Sequence, residues 1–243
     1  MRLDKFLSDS TGFSRRELRS MIRRGEVAVD GRVVKAPEQQ TAENAAVEIK
    51  GVPVRYRRFV CLMMNKPAGY ISATEDGHAP VVTELVPEEY RHFELFPAGR
   101  LDKDTEGLLI LTNDGQFCHR ITSPRSMVWK RYFVRLDIPA EESDAEAFAS
   151  PMDLGDFVSA PGRLHLTSVP DEVLVDISEG KFHQVKRMCE KVGKKVVRLR
   201  RLAIGGLRLD EQLAPGEVRE LSEAEQELVC NGELPALEGC LKR

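Results

Sequence analysis

The sequence predicts an α+β protein: a small N-terminal α/β module, then a larger domain built on a mixed, mostly antiparallel sheet. Three observations lead there. Near the N-terminus one amphipathic helical pattern runs straight into a hairpin signal. Beyond it, apolar or alternating stretches at 59–64, 107–112, 132–136, 173–177 and 197–199 come in runs rather than in strict alternation with helices, which disfavours a parallel, doubly wound sheet. The glycine-rich spots match neither a GxGxxG turn nor a phosphate-binding P-loop, so no nucleotide cofactor is expected.

The first element is announced by Ser14-Arg-Arg-Glu17, a capping box in which serine and glutamate satisfy each other's backbone amides. The helix should run to about Arg24, with Gly25 suited to the left-handed position that ends it. Leu18, Met21 and Ile22 share one face. At about 100° per residue, Arg15, Arg16, Arg19 and Arg23 fall on the neighbouring stripe. Val27 and Val29 alternate as a strand, Asp30-Gly31 is a two-residue hairpin signal, and Val33-Val34 returns. Residues 52–59 hold a proline, three arginines and few large apolar side chains, and read as a linker. The expected organisation is therefore a first domain at 1–58, a second at 59–230 and a disordered tail at 231–243.

In the larger domain, 59–64 reads as a buried strand ended by the turn residues Asn65-Lys-Pro-Ala-Gly69, and 107–112 as another closed by Asn113-Asp-Gly115. Val197 and Leu199 alternate with Arg198 and Arg200, a half-exposed strand with a basic outer face. Residues 141–149 and 182–192 read as helices, the second ended by Gly193 and carrying an apolar stripe of Phe182, Val185, Cys189 and Val192. The capping box Ser222-Glu-Ala-Glu225 opens a last short helix.

Of the 243 residues 42% are hydrophobic and 31% charged, enough for a sizeable core and against global disorder. The formal net charge of -3 hides segregation. Thirteen Lys and Arg against eight Asp and Glu leave residues 1–58 at +5, and residues 181–208 hold ten cations against Glu190 alone. Two basic surfaces are the footprint of a polyanion partner. A helix with an arginine stripe beside a hairpin can follow a phosphate backbone without reading bases. No apolar run approaches the roughly 20 residues that span a bilayer. The N-terminus lacks a signal-peptide pattern, so no membrane partner, a cytoplasmic location and a monomeric state are expected. Cys61, Cys118, Cys189, Cys230 and Cys240 are odd in number, far apart and without a CxxC pair, and the histidines form no HExxH. Neither a disulfide framework nor a metal site is expected.

The most informative segment is Gly99-Arg-Leu-Asp-Lys-Asp-Thr-Glu-Gly-Leu-Leu109, which sets carboxylates on a polar loop ahead of a buried strand. From the residues alone, Asp102 and Asp104 read as a catalytic pair, as metal ligands or as plain loop acids.

Two resemblances add to this. Arg2-Leu-Asp-Lys-Phe-Leu7, Ser14-Arg15, Ile22-Arg-Arg-Gly25 and Val27-Ala-Val-Asp-Gly31 resemble the small RNA-binding domain shared with ribosomal small-subunit protein four. That likeness implies structured RNA as the partner, met by Arg15, Arg16, Arg19 and Arg23. Gly99-Arg-Leu-Asp102-x-x-Thr105-x-Gly107-Leu-Leu109 resembles the nucleophile motif of the pseudouridine synthases. In order around it stand Asn65-Lys-Pro-x-Gly69, Lys130-Arg-Tyr132-x-Val134, Glu179-Gly-Lys-x-His-Gln-Val-Lys-Arg-Met188 and Leu202-x-Ile204-Gly205, so the likeness covers residues 1 to about 230. His119-Arg-Ile-Thr-Ser-Pro124 and His183-Gln-Val-Lys-Arg-Met188 are similar to the branch that modifies small-subunit ribosomal RNA.

The resemblance implies isomerisation of a uridine to pseudouridine in ribosomal RNA or a small-subunit assembly intermediate, with base flipping and with no cofactor or metal. It makes Asp102 the nucleophile, Lys186 the cation beside it and Tyr132 the active-site ring. A neighbouring cation favours the charged form of such a carboxylate. Many relatives carry arginine in place of Lys186. Arg100 and Arg187 would hold the substrate, and Leu202 and Ile204 would wall the base pocket, although an apolar strand serves core packing equally well. The competing functions are a synthase for large-subunit rRNA, a non-catalytic rRNA-binding assembly factor, and a magnesium-assisted hydrolase using Asp102 and Asp104. The intact set of Asp102, Tyr132 and Lys186 favours the synthase, because binding alone needs no carboxylate in a basic cleft.

Overall fold

A computed structural model describes residues 1–231 and 233–237. The chain divides into two compact units: Met1–Val60 with Pro87–Glu94, and Cys61–Val86 with the chain from Leu95 onward. The return of 87–94 to the first unit was not expected from the sequence.

The first unit opens with α1 (Leu3–Ser10) and α2 (Arg15–Arg23). Ser14 caps α2 as a complete capping box: its amide donates to Glu17 at 2.8 Å and its hydroxyl accepts from the Glu17 amide at 3.3 Å. A four-stranded antiparallel sheet follows, made of β1 (Val27–Val29), β2 (Arg32–Val34), β3 (Val47–Ile49) and β4 (Val52–Val54), in the order β2-β1-β3-β4. Asp30 and Gly31 both take positive φ, 51° and 75°, the geometry of the tight turn that matches strand twist. Strand β4 corrects the expected linker at 52–59. Its Pro53 is tolerated because β4 is an edge strand, where the missing N–H breaks no ladder. The short α3 (Glu88–Arg91) also belongs to this unit. Leu3, Phe6, Leu7, Leu18, Ile22, Val27, Val29, Val34, Val47 and Ile49 form its core, with Tyr56 tilted against Phe6.

Asp4 is a buried acid in that core. It accepts from Arg2 at 3.0 Å and from Arg19 of the arginine stripe at 3.0 Å. The Arg2 hydrogen bond, reinforced by Arg19 against the opposing effect of burial, holds its pKa down at about 2. The folded value lies below the unfolded one, so this stabilisation is present above pH 4 and lost as pH falls toward 2. With both arginines half exposed, it amounts to about 1–2 kcal/mol. Asp4→Asn should lower thermal stability at pH 5, and the gap to wild type should narrow on titration to pH 2. A constant gap would show that charge plays no part.

The second unit is built on one large sheet. Its strands are β5 (Cys61–Lys66), β6 (Phe96–Pro97), β7 (Glu106–Thr112), β8 (Lys130–Leu136), β9 (Arg163–Leu166), β10 (Glu172–Ile177), β11 (Val196–Ile204), β12 (Leu207–Arg208) and β13 (Val218–Glu220). The order is β13-β5-β7-β11-β8-β10-β9, with β6 on β7 and β12 on β11. Among these strands only β7 and β11 pair in parallel, so the sheet is mixed and mostly antiparallel, as the runs of strands predicted. Gly107 sits at that parallel junction with φ +100°. A Cβ there would lie 2.3 Å from the Arg201 carbonyl oxygen, so the close approach of the two backbones requires glycine.

Helices α4 (Gly115–Thr122), α5 (Glu142–Phe148), α6 (Gln184–Lys191) and α7 (Glu223–Cys230) complete the unit. Asp114 caps α4, and the predicted capping box of Ser222 and Glu225 opens α7. Phe117, Ile121 and Val229 pack with Met63, Leu108, Ile110 and Ile204. No described helix is long and apolar enough to cross a membrane. Of the expected disordered tail, residues 232 and 238–243 lie outside the described residues. Within the described part, the carbonyls of Pro235 and Ala236 accept from Arg131 at 2.7 Å and Arg208 at 2.6 Å.

Candidate active site

The loop between β6 and β7 carries Asp102, and the 66–72 segment shapes it. Lys66 is fully buried, an unusual place for an ammonium. Its Nζ donates to the carbonyls of Thr105 at 2.7 Å, Pro67 at 3.0 Å and Asp102 at 3.1 Å, with Lys103 at 3.4 Å. Burial pulls its pKa down to about 8, against the upward effect of Asp104, Asp102 and Glu106. Ser72 clamps the same loop from both sides, donating to the Leu101 carbonyl at 3.0 Å and accepting from the Leu101 amide at 2.9 Å. The Gly69 amide adds a bond to the Lys103 carbonyl at 2.7 Å. The Asn65-Lys-Pro-Ala-Gly69 motif is thus a brace for the carboxylate loop, a role its residues did not announce.

From the other side, α6 brings in Lys186. Its Nζ lies 3.0 Å from Asp102 Oδ2 and 2.6 Å from Asp104 Oδ1. Burial works to lower the Lys186 pKa, but the hydrogen bonds and charges of Asp104 and Asp102 outweigh it and hold the ammonium above its ordinary range. Burial likewise works to raise the Asp104 pKa, and Lys186 outweighs it to leave that carboxyl below its usual value. The two acids differ in setting: the Asp102 side chain is 25% exposed and that of Asp104 74% exposed. His183 Nε2 stands 3.5 Å from Asp102 Oδ1.

Asp102 and His183 border an open cavity of about 50 Å³. Arg100, Asp102, Thr105, Tyr132, Lys181, His183 and Gln184 line it, with Leu199 and Ile177 as apolar wall. Tyr132 reaches it because β8 alternates. Arg131, its neighbour on the opposite face, is locked into a buried two-point pair with Asp176 at 2.7 and 2.8 Å. Arg100 is exposed and makes no hydrogen bond or ion pair among the described residues. Thr105 is buried, and its hydroxyl has no hydrogen-bond partner among the described residues.

The structure therefore brings Asp102, Lys186, Tyr132 and Arg100 together. Four expectations change. Ile204 is a core residue packed with Leu108 and Val229, and neither it nor Leu202 lines the cavity; Leu199 does. The β-bulge between Arg201 and Ala203 breaks the alternation that sequence counting assumed. Arg187 is turned away, bonded to the Leu154 carbonyl and the Asp156 carboxylate and lying over the Phe157 ring. The apolar stripe holds for buried Val185 and Cys189, but Phe182 precedes α6 and is 68% exposed. The basic run at 181–208 is not one outer face: Lys194 is buried against Asp144, and Arg201 donates inward to the Leu108 carbonyl at 2.7 Å. In the first unit Arg15, Arg16, Arg19 and Arg23 are exposed. Among the described residues no group of three or more His, Cys, Asp or Glu side chains could hold a metal ion.

Known sequences and structures resemble this chain over most of its length. A family model described as RNA pseudouridylate synthase matches residues 60–191, and one described as S4 domain matches residues 1–46. The uncharacterized RNA pseudouridine synthase YtzG of Bacillus subtilis (strain 168) is 44% identical over 234 residues, covering 94% of this chain and 98% of the relative. Ribosomal small subunit pseudouridine synthase A of Escherichia coli (strain K12) is 42% identical over 230 residues, covering 93% and 98%. A solved structure described as a pseudouridylate synthase is 36% identical, covers 94% of this chain and 99% of its own, and superposes with a TM-score of 0.67. With a braced carboxylate loop, a lysine reaching it from α6 and relatives matched over nearly their whole length, the chain belongs to the RNA pseudouridylate synthase family.

Proposed function

We propose that this enzyme converts a uridine of small-subunit ribosomal RNA to pseudouridine, with Asp102 as the reacting carboxylate. The carrying observation is that Asp102 borders a cavity shared with Tyr132 while held 3.0 Å from the Lys186 ammonium. The small-subunit target is supported by relatives bearing that name from Escherichia coli and Yersinia pestis.

In the reaction the N1–C1′ bond breaks and a C5–C1′ bond forms. The C5 proton leaves to solvent, N1 gains one, and nothing is oxidised or reduced. Asp102 attacks or shields the electron-poor centre that bond cleavage creates. Lys186 balances its charge. Tyr132 offers a ring face to the everted base and a hydroxyl for proton movement. Arg100, exposed on the cavity wall and unengaged, occupies or grips the space the base leaves. Eversion costs a few kcal/mol of stacking and pairing, and the arginine stripe of α2 supplies phosphate contacts that offset it.

The test is tritium release from small- and large-subunit rRNA transcribed with [5-³H]uridine, in the presence of EDTA. Release from the small-subunit transcript is expected. Release from the large-subunit transcript alone would reassign the target. Tight binding with no release from either would point to an assembly factor.

A further inference from the structure

We propose that Phe182, stacked on His183 at the mouth of the Asp102 cavity, is a platform for the RNA base next to the target uridine; this rests on the reading that a uridine enters that cavity. Phe182 is the most exposed of the large apolar side chains among the described residues, at 68%. A single exposed apolar side chain is ordinary on a protein surface; this one is set apart by its stacking on a residue that lines the Asp102 cavity. Its inner face is already used: it stacks on the His183 imidazole with centroids 3.9 Å apart and planes 16° from parallel. Its outer face is open.

The pair is held in place. His183 takes φ 52°, a left-handed conformation uncommon outside glycine, and the turn before it is braced. The Lys181 amide donates to Gln184 Oε1 at 3.0 Å, and Gln184 Nε2 donates to Glu179 at 2.9 Å. A ring presented this way loses little freedom when a ligand covers it.

The neighbouring cations have other engagements. Lys181 donates to the Val158 carbonyl at 2.7 Å and pairs with Glu179 at 3.2 Å. Lys186 serves Asp102 and Asp104. What residues 181–186 offer RNA is therefore a π-face rather than a free charge, the unengaged cation of the cavity wall among the described residues being Arg100. His183 lines the cavity whereas Phe182 lies just outside it, so the base on Phe182 is not the one that enters. Eversion deprives the adjacent base of a stacking partner. An aromatic face replaces that partner whatever the base, since every base has a π-face.

The experiment compares full-length wild type with F182A, F182L and F182W, using [5-³H]uridine-labelled small-subunit rRNA. Filter-binding Kd is read at several salt concentrations, and KM and kcat are read from tritium release. F182A should raise Kd and KM about ten- to a hundred-fold with kcat changed less than about threefold. F182W should stay near wild type, and F182L should fail to rescue. The slope of log Kd against log salt should be the same in all four proteins, because no phosphate contact is lost. The side chain is exposed, so melting should be unchanged. Unchanged Kd and KM in F182A, full rescue by leucine, or a shallower salt slope would each overturn the platform. If wild type binds but releases no tritium while F182A still weakens binding, the catalytic reading falls and takes the placement beside a target uridine with it, leaving Phe182 an RNA contact only. If turnover is normal and F182A is silent, the catalytic reading stands and the platform falls.

Discussion

Asp102→Asn is expected to reduce tritium release by at least about a thousand-fold while leaving rRNA affinity within about threefold. The amide keeps the shape of the side chain and removes the nucleophilic charge. The fold should tolerate it, because Lys186 keeps Asp104 at 2.6 Å and is not left as an unpaired, half-buried cation. The lost arm of the ion pair is partly solvated, so melting should fall by only a few degrees, for about 1 kcal/mol. Asp104→Asn is the informative partner variant. Asp104 holds the shorter contact to Lys186, yet its side chain is 74% exposed and does not line the cavity. Its loss should cost less than about tenfold in kcat/KM. A matching collapse in both variants would mean that the two acids act as one unit. Substantial activity in Asp102→Asn would remove Asp102 as the reacting group.

Legibility in the sequence tracked the range of the interactions. Ser14–Glu17, Asp30-Gly31 and Ser222–Glu225 are local devices, and each forms the cap or turn its residues prescribe. The pairing of Asp102 with Lys186 spans the unit and was accessible only through family likeness, since charge pattern alone left Lys186 a surface lysine. Strand β4 escaped notice because Val52-Pro53-Val54 looks like linker until β3 pairs with it. Period-two counting points to Leu202 and Ile204 rather than Leu199 because it cannot foresee a bulge at 201–203. Periodicity puts Phe182 in a buried stripe by starting the helix two residues before α6 begins. Its exposure follows from the left-handed residue 183, which starts α6 later than periodicity suggests. Lys66 was the deepest omission. Lysine is almost never fully buried, and apart from Pro67 its acceptors lie in the 102–105 loop far along the chain, so no local pattern marks it.

Lys66 also carries the second large effect. Lys66→Met should destabilise the catalytic unit by about 3 kcal/mol and eliminate measurable turnover even at temperatures where the variant is folded. Methionine fills much of the space but donates nothing, so the carbonyls that Lys66 holds lose their donor. Two of them have a second: Asp102 O also accepts from the Thr105 amide at 3.1 Å, and Lys103 O from the Gly69 amide at 2.7 Å. Thr105 O, whose bond to Lys66 is buried, bears the main loss, at roughly 1–3 kcal/mol for a buried unsatisfied group, while Pro67 O is only part-buried and can turn to water. For a chain of this size the shift corresponds to a drop in Tm of about 6–12 °C. The kinetic consequence separates bracing from bulk stability. If Lys66 only stabilises the fold, turnover per folded molecule at low temperature should match wild type. If it sets the 101–105 loop, kcat should fall by orders of magnitude while rRNA affinity barely changes. A variant that melts normally and turns over normally would show that Ser72 and Gly69 hold the Asp102 loop without it.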